Sequence, residues 1–391
     1  MTLNDVCEFI VDCPHSTAKD EGAGYPLIRT PNIGRGRLIL NDVHRVSEAA
    51  YQRRNLRATP QDDDLIMARE APAGNVAIIK NGEKVCLGQR TVLLRPDKTK
   101  VYPDYLAYYL LAPQQQYGLL GTANGATVAH VNIPVIKTLP VSLPPIEEQK
   151  KAADILIAYD DLIETNQRQI KLLEEAAQRL YREWFVDLRF PGHEDVPMVD
   201  GVPEGWKRET VGTLCTKTKD TVAPESIPNG MPYIGLEHIP RHDFCLSEWG
   251  DSSEVTSSKA KYAANDIIFG QIRPYFHKVG FALNDGVAST DSFIMTPRAD
   301  NWGLFLLTVF SDAFVSYTYQ TCKEGAKMPR ADWNQMKKYP ILVADNHTQT
   351  LFEERIGSIA GKVRSLALQK RLLSEARDRL LPKLMSGEIA V

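Results

Sequence analysis

The chain has 391 residues, a formal net charge of −3, and 43% hydrophobic against 24% charged residues. That length suits two or three soluble globular domains. The balance excludes nonspecific coating of nucleic acid and leaves room for a local basic face. The first segment, residues 1–143, carries 16 Lys/Arg against 14 Asp/Glu, and ten of the sixteen are Arg. Its start, MTLNDVCEFIVDC, has no basic stretch followed by an apolar run, so no secretory signal is expected. Apolar clusters such as Leu106–Leu111 and Leu304–Phe310 are too short to span a bilayer, so the expected location is cytoplasmic. The six cysteines form no Cys-x-x-Cys pair, which predicts buried free thiols and no structural zinc site, and no metal-binding residue is expected.

Within 1–143, strand-like runs appear at PLIRTPNI (Pro26–Ile33), DDLIMARE (Asp63–Glu70) and GQRTVLLRP (Gly88–Pro96). A helical stretch, YLAYYLL, follows at 105–111, then a Gly-Ala loop at 122–132 and a short strand through proline, IKTLPVSLP. Many short strands with turn signals and a few helices predict an α+β domain.

Residues 144–185 read as one long helix. Ile155, Tyr159, Leu162, Asn166, Ile170, Leu173, Ala177, Leu180 and Trp184 recur at spacings of three and four, a coiled-coil seam with a polar Asn on it. The helix ends in the aromatic cluster Tyr181, Trp184 and Phe185, which either packs in a core or docks a partner. A linker at 186–203 follows, in a Pro/Gly-rich stretch that ends before Trp206.

Residues 204–343 repeat the first pattern weakly: PYIGLEHI, NDIIFGQIRP, STDSFIMTP, WGLFLLTVF, the loop TCKEGAKMPRAD and MKKYPILVA. Residues 344–391 form a second long helix with Ile356, Ile359, Val363, Leu366, Leu373, Leu380 and Leu384 on its seam. Pro382 is expected to bend or end it. The helices repeat at a fixed, gapless offset. Gln149 meets Gln349, Gln169 meets Gln369, Leu172 and Leu173 meet Leu372 and Leu373, and Glu175, Ala176, Arg179 and Leu180 meet Glu375, Ala376, Arg379 and Leu380. The expected organisation is two mixed α/β domains separated by two long helices that pair as an antiparallel coiled coil.

The phrases LPPIEEQKKAADIL, LLEEAAQRLYREWF, VPEGWK and LLPKLMSGEI, in this order of elements, resemble the DNA-specificity subunit of type I restriction–modification systems. The resemblance covers essentially the whole chain. It implies two target-recognition domains, each reading one half of a split, asymmetric DNA site. It implies a helical spacer that docks two methyltransferase subunits, with motor-nuclease subunits completing the complex. S-adenosylmethionine, ATP and magnesium would then belong to those partners, and this chain would carry no cofactor and no catalytic residues.

Arg on guanine and Asn or Gln on adenine are the pairings of major-groove reading, and Lys, Ser and Thr suit phosphates. Candidates in the first domain are Arg29, Arg35, Arg37, Arg69, Gln89, Arg90, Asn124, Thr127 and His130. Arg90 also has the alternative of pairing with an acid inside the domain. In the second domain they are Lys217, Lys219, His238, Gln271, Arg273, Thr290, Asp291, Lys323, Lys327 and Arg330. Tyr275 and Phe276 read as core. No phosphate-binding glycine loop and no Gly-x-Ser-x-Gly elbow is present. Pro240 keeps His238 and His242 off one helix face, and the Asp62–Asp64 run reads as a turn rather than a magnesium site. A coiled-coil scaffold carrying two protein-binding domains is the alternative reading, and a self-contained nuclease a third.

Overall fold

The computed structural model describes residues 1–121, 130–218, 220–322, 328–389 and 391. Two compact units emerge: Met1–Asp161 together with Leu373–Val391, and Leu162–Leu372. Both are α+β, and each takes one stretch of each long helix.

In the first unit a five-stranded sheet has the order Cys7–Asp12, Thr91–Pro96, Leu65–Ala68, Val76–Ile78, Gly36–Arg37. Neighbours are antiparallel except the last pair, which is parallel. The central strand, LIMA, is buried at every position, so it is apolar on both faces instead of alternating. A smaller sheet centres on Tyr25–Ile28, antiparallel to Arg45–Val46 and parallel to Cys86–Leu87. The helix Pro103–Leu111 is buried throughout. Its first turn leaves backbone N–H groups without intrahelical partners. Gln149 of the first long helix answers one, accepting from Tyr102 N at 2.8 Å.

The second unit repeats this order with different residues: Cys215–Lys217, Ser292–Pro297, Ile267–Gly270, Val279–Ala282, Cys245–Leu246. Again only the last pair is parallel. Pro232–Ile234 occupies the place of Tyr25–Ile28, antiparallel to Gly250–Asp251 and parallel to Gly286–Ala288. The turns into the central strands also correspond. Asp63 and Asn265 both have φ near 70°. The next residue, Asp64 or Asp266, accepts the backbone N–H three residues back, from Gln61 or Ala263. Here Gln349 bonds Glu353, and Glu353 accepts from Gly303 N and Leu304 N at the start of the buried helix Trp302–Phe310. The glutamines repeated in the sequence are thus helix-end fasteners in both units. Phe305, Phe314 and Phe352 are fully buried here, each worth about 2–3 kcal/mol in apolar transfer.

The long helices are Ile146–Tyr181 and Asn346–Ser386. They run antiparallel within each unit. In the first, Asp160 meets Arg377 while Lys151 reaches Val391 O. In the second, Gln167 meets Lys370 while Trp184 packs on Phe352. The seam of the second helix has Ile356, Val363, Leu366 and Leu384 buried, as its spacing predicts. The first helix departs from prediction before Asn166. Ile155 and Leu162 are exposed, whereas Leu156 and Asp160 face inward. The charged Asp160 holds an interior position because Tyr108 Oη donates to one carboxylate oxygen and Arg377 to the other, each at 2.6 Å. Asn166 is buried.

Pro382 does not end its helix, which continues to Ser386. It stands in the last turns, and Leu381, Leu384 and Met385 around it are buried in the first unit's core. The aromatic cluster is core: Trp184 and Phe185 are buried, and Phe185 packs on Phe352 and Trp206. The expected closing strand of the first domain is a helix, Ile133–Thr138, followed by a single bridge from Thr2 to Pro140. Its counterpart, Pro340–Val343, is a strand paired with Lys207–Thr210. The six cysteines are free, four of them buried. No helix among the described residues is long and apolar enough to cross a membrane.

Candidate nucleic-acid interface

The ends of the central strands gather polar groups in both units. In the first, Arg69 follows Leu65–Ala68 and donates its backbone N–H to Arg90 O, while Val131 N donates to Arg69 O. In the second, Gln271 follows Ile267–Gly270, donates to Asp291 O, and its carbonyl accepts from Ala331 N. One backbone frame therefore brings together Arg69, Arg90 and His130 in one unit, and Gln271, Asp291 and Arg330 in the other.

The side chains differ. Arg69 is buried and fully engaged: Nε donates to Val131 O at 2.9 Å, Nη1 reaches Asp12 at 3.2 Å, and Nη2 donates to His130 Nε2 at 2.8 Å. Because His130 Nε2 accepts, its proton sits on Nδ1, which donates to Glu70 at 2.5 Å. The other Glu70 oxygen pairs with Arg90 at 2.7 Å. Asp12 and Glu70 thus tie Arg69, Arg90 and the His130 ring into one network. Arg69 shapes the surface from within, and Arg90, 63% exposed, presents it. Residues 124 and 127 lie outside the described residues.

Gln271 donates to Thr290 O at 3.1 Å, and Arg330 pairs with Asp291 at 2.9 Å. Thr290 and Arg330 are exposed. Arg273 has φ 52° and a buried Nε without a hydrogen-bond partner, and its guanidinium carbon lies 5.7 Å from the Phe276 ring. Lys217 lies over the rings of Phe293 and Trp333 at 4.9 and 5.8 Å. His238 turns inward, accepting from Gly235 N. Lys219, Lys323 and Lys327 lie outside the described residues. Tyr275, expected in the core, is 46% exposed and set edge-on to Phe276 and Tyr319.

The remaining candidates spread away from the first network. Arg37 pairs with Asp161 of the long helix, and Arg35 donates to Leu111 O at 3.4 Å. Gln89 donates to His15 O at 2.8 Å. Arg29 Nε is buried without a hydrogen-bond partner. The Asp62–Asp64 run is taken up internally: Asp62 by Gly82 N, Asp63 by Lys80 and Lys98, Asp64 by Arg95. Sequence reasoning missed Asp12 and Glu70, acids whose partners Arg69, Arg90 and His130 lie up to 60 positions away along the chain. It also missed Arg241, stacked 4.0 Å over Phe276.

A doubled α+β frame with equivalent polar strand ends and paired long helices defines a two-unit α+β protein built on an internal repeat. Residues 1–175 match the family model described as the type I restriction modification DNA specificity domain. The chain is 25% identical to the type I restriction enzyme MjaIX specificity subunit of Methanocaldococcus jannaschii, over 97% of this chain and 87% of that protein. It is 28% identical to the putative MjaX specificity subunit of the same organism, over 100% and 93%. Its fold is similar to that of the crystallised S subunit of a type I restriction–modification system from M. genitalium. That likeness has a TM-score of 0.58 at 14% identity and covers 98% and 95% of the two chains. The chain is thus similar, over nearly its whole length, to DNA-specificity subunits of type I restriction–modification systems.

Proposed function

We propose that the chain reads a split, asymmetric DNA site, one half through each globular domain, and brings methyltransferase and motor-nuclease subunits to it. The observation that carries this reading is the pairing of an identical sheet order with different residues at equivalent strand ends. Arg69, Arg90 and His130 on one frame, and Gln271, Asp291 and Arg330 on the other, suit two different half-sequences. Catalysis, with S-adenosylmethionine, ATP and magnesium, falls to the partners. Leu172 and Leu372 occupy the same place in the two helix repeats and are 65% and 64% exposed, which suits two copies of one docking subunit.

The test is sequencing of modified bases in cells that supply the chain with its methyltransferase subunit. Methylation of one split motif is expected. A contiguous motif, or none with a competent partner, overturns the reading. DNA binding without sequence preference in gel shifts, with and without partner, would favour a scaffold instead.

A further inference from the structure

A cluster of the second unit lies outside everything assigned above. His242 sits on the turn after Pro240, His277 follows the short turn Pro274–Phe276, and Asp312 opens the helix Asp312–Gln320. One ligand-type atom from each lies within 4.8 Å of the others.

The hydrogen-bond arithmetic of His277 is the informative part. The residue is 3% exposed. Its Nε2 is 2.6 Å from Phe310 O, and a carbonyl can only accept, so the ring proton of a neutral imidazole is there. Nδ1 then carries a bare lone pair, and it faces Asp312 Oδ1 at 3.3 Å. Two acceptors face each other at the rim of the core, and the second imidazole, His242, lies tilted at 45° with its centroid 4.3 Å away. Such an arrangement calls for a positive charge among the three groups.

We propose that His242, His277 and Asp312 bind one divalent transition-metal ion, with zinc the ion that fits best. Two imidazoles and a carboxylate are a donor set that zinc accepts, and three protein ligands leave a fourth position for water. The bond from His277 Nε2 to a backbone carbonyl is the outer contact that characteristically fixes a ligating ring. His242 and His277 have φ of 59° and 52°, a left-handed backbone that non-glycine residues keep where the surroundings impose it. Zinc–ligand bonds of about 2.0–2.2 Å require the ligand atoms to draw closer. His242 is exposed and the Asp312 side chain is 87% exposed, so both are free to rotate inward. The ion would fasten three segments: the turn at 240–243, the turn that carries Arg273 and Tyr275, and the junction of helices Trp302–Phe310 and Asp312–Gln320. The competing account is a doubly protonated His277 that donates to both oxygens with no metal.

The experiment uses the full chain, stripped with chelator and titrated with zinc by calorimetry and with cobalt(II) by visible absorption. One equivalent of zinc should bind. Cobalt should give ligand-field bands without thiolate charge transfer, and saturating zinc should raise the thermal midpoint. Asp312→Asn and His242→Asn keep side-chain size, and Asn tolerates a left-handed backbone. Each should weaken zinc binding at least about tenfold, the loss typical even of an outer-shell partner, and shrink the thermal shift at a fixed zinc concentration. His347→Asn, at an exposed histidine elsewhere, should leave both unchanged. Absence of stoichiometric binding favours the protonated histidine and overturns the proposal. So does zinc binding of unchanged affinity in both variants, or a thiolate band that assigns the ion to a cysteine.

Discussion

Arg377→Met tests whether the buried charge at Asp160 is held by its partner. The Asp160 side chain is 6% exposed and that of Arg377 19%. Removing one member of a buried ion pair costs about 3–5 kcal/mol, because the other charge is left desolvated and unpaired. Tyr108 would still donate to Asp160 at 2.6 Å, and Met retains much of the arginine's apolar stem. The expected loss is therefore near the lower end, about 3 kcal/mol. Asp160→Asn removes the charge itself, and Arg377 keeps its contact with Asp378 at 2.9 Å, so the expected loss is smaller, about 1–2 kcal/mol. The double variant should be more stable than Arg377→Met alone, because no bare carboxylate remains. Hydrogen exchange resolves the effect by region: protection should fall in Pro103–Leu111 and in 149–160, and hold in Trp302–Phe310. A loss under about 1 kcal/mol in Arg377→Met, or strictly additive losses, would refute the reasoning.

Burial, with Asp243 adding to it, pushes the Glu174 carboxyl up to about 8. The folded chain holds a proton there that the unfolded chain gives up near 4.5. This group therefore costs no stability below about pH 4.5, costs progressively more up to about pH 8, and is constant above. At 1.36 kcal/mol per pH unit the ceiling is about 5 kcal/mol. Glu174→Gln should change stability little at pH 5 and raise it at pH 9; parallel pH curves for the two proteins would count against this. Phe352→Ala, which removes the ring under Trp184 and Phe185, should cost about 3–5 kcal/mol in denaturant melts. Arg330→Ala should weaken recognition of one half-site by about 1–3 kcal/mol and leave the other intact, as read by methylation of half-site variants. A heptad added to each long helix lengthens it by about 10 Å, or about three base pairs of DNA. The methylated motif should then keep both half-sequences and widen its gap.

Layout and fold class were legible because long-range periodicity and repetition are local signals summed over many residues. The seam of the second helix follows from its leucines, isoleucines and valine alone. The first half of the other seam did not, because a pattern of apolar residues cannot anticipate a buried Asp160 whose partner, Arg377, lies 217 positions away. Pro382 misled for a related reason: local propensity was outweighed by the burial of Leu381, Leu384 and Met385. At the candidate interface the sequence singled out residues that the fold gathers at the central strand ends, and it overstated which cations are free. Arg69 looks like a reader by type, yet Asp12, 57 positions away, and the carbonyl of Val131 take up its guanidinium. Compensation between distant charges is a tertiary fact.

The first unit is completed by Leu373–Val391, which places Leu381, Leu384 and Met385 beside Ala152, Ala153 and Leu156. That segment is synthesised after every residue of the second unit. The domain that leaves the ribosome first therefore waits, with part of its apolar surface uncovered, until the other has been made. A frameshift or a proteolytic cut late in the chain would then strike the N-terminal unit, far away in sequence, sooner than the unit that precedes the cut.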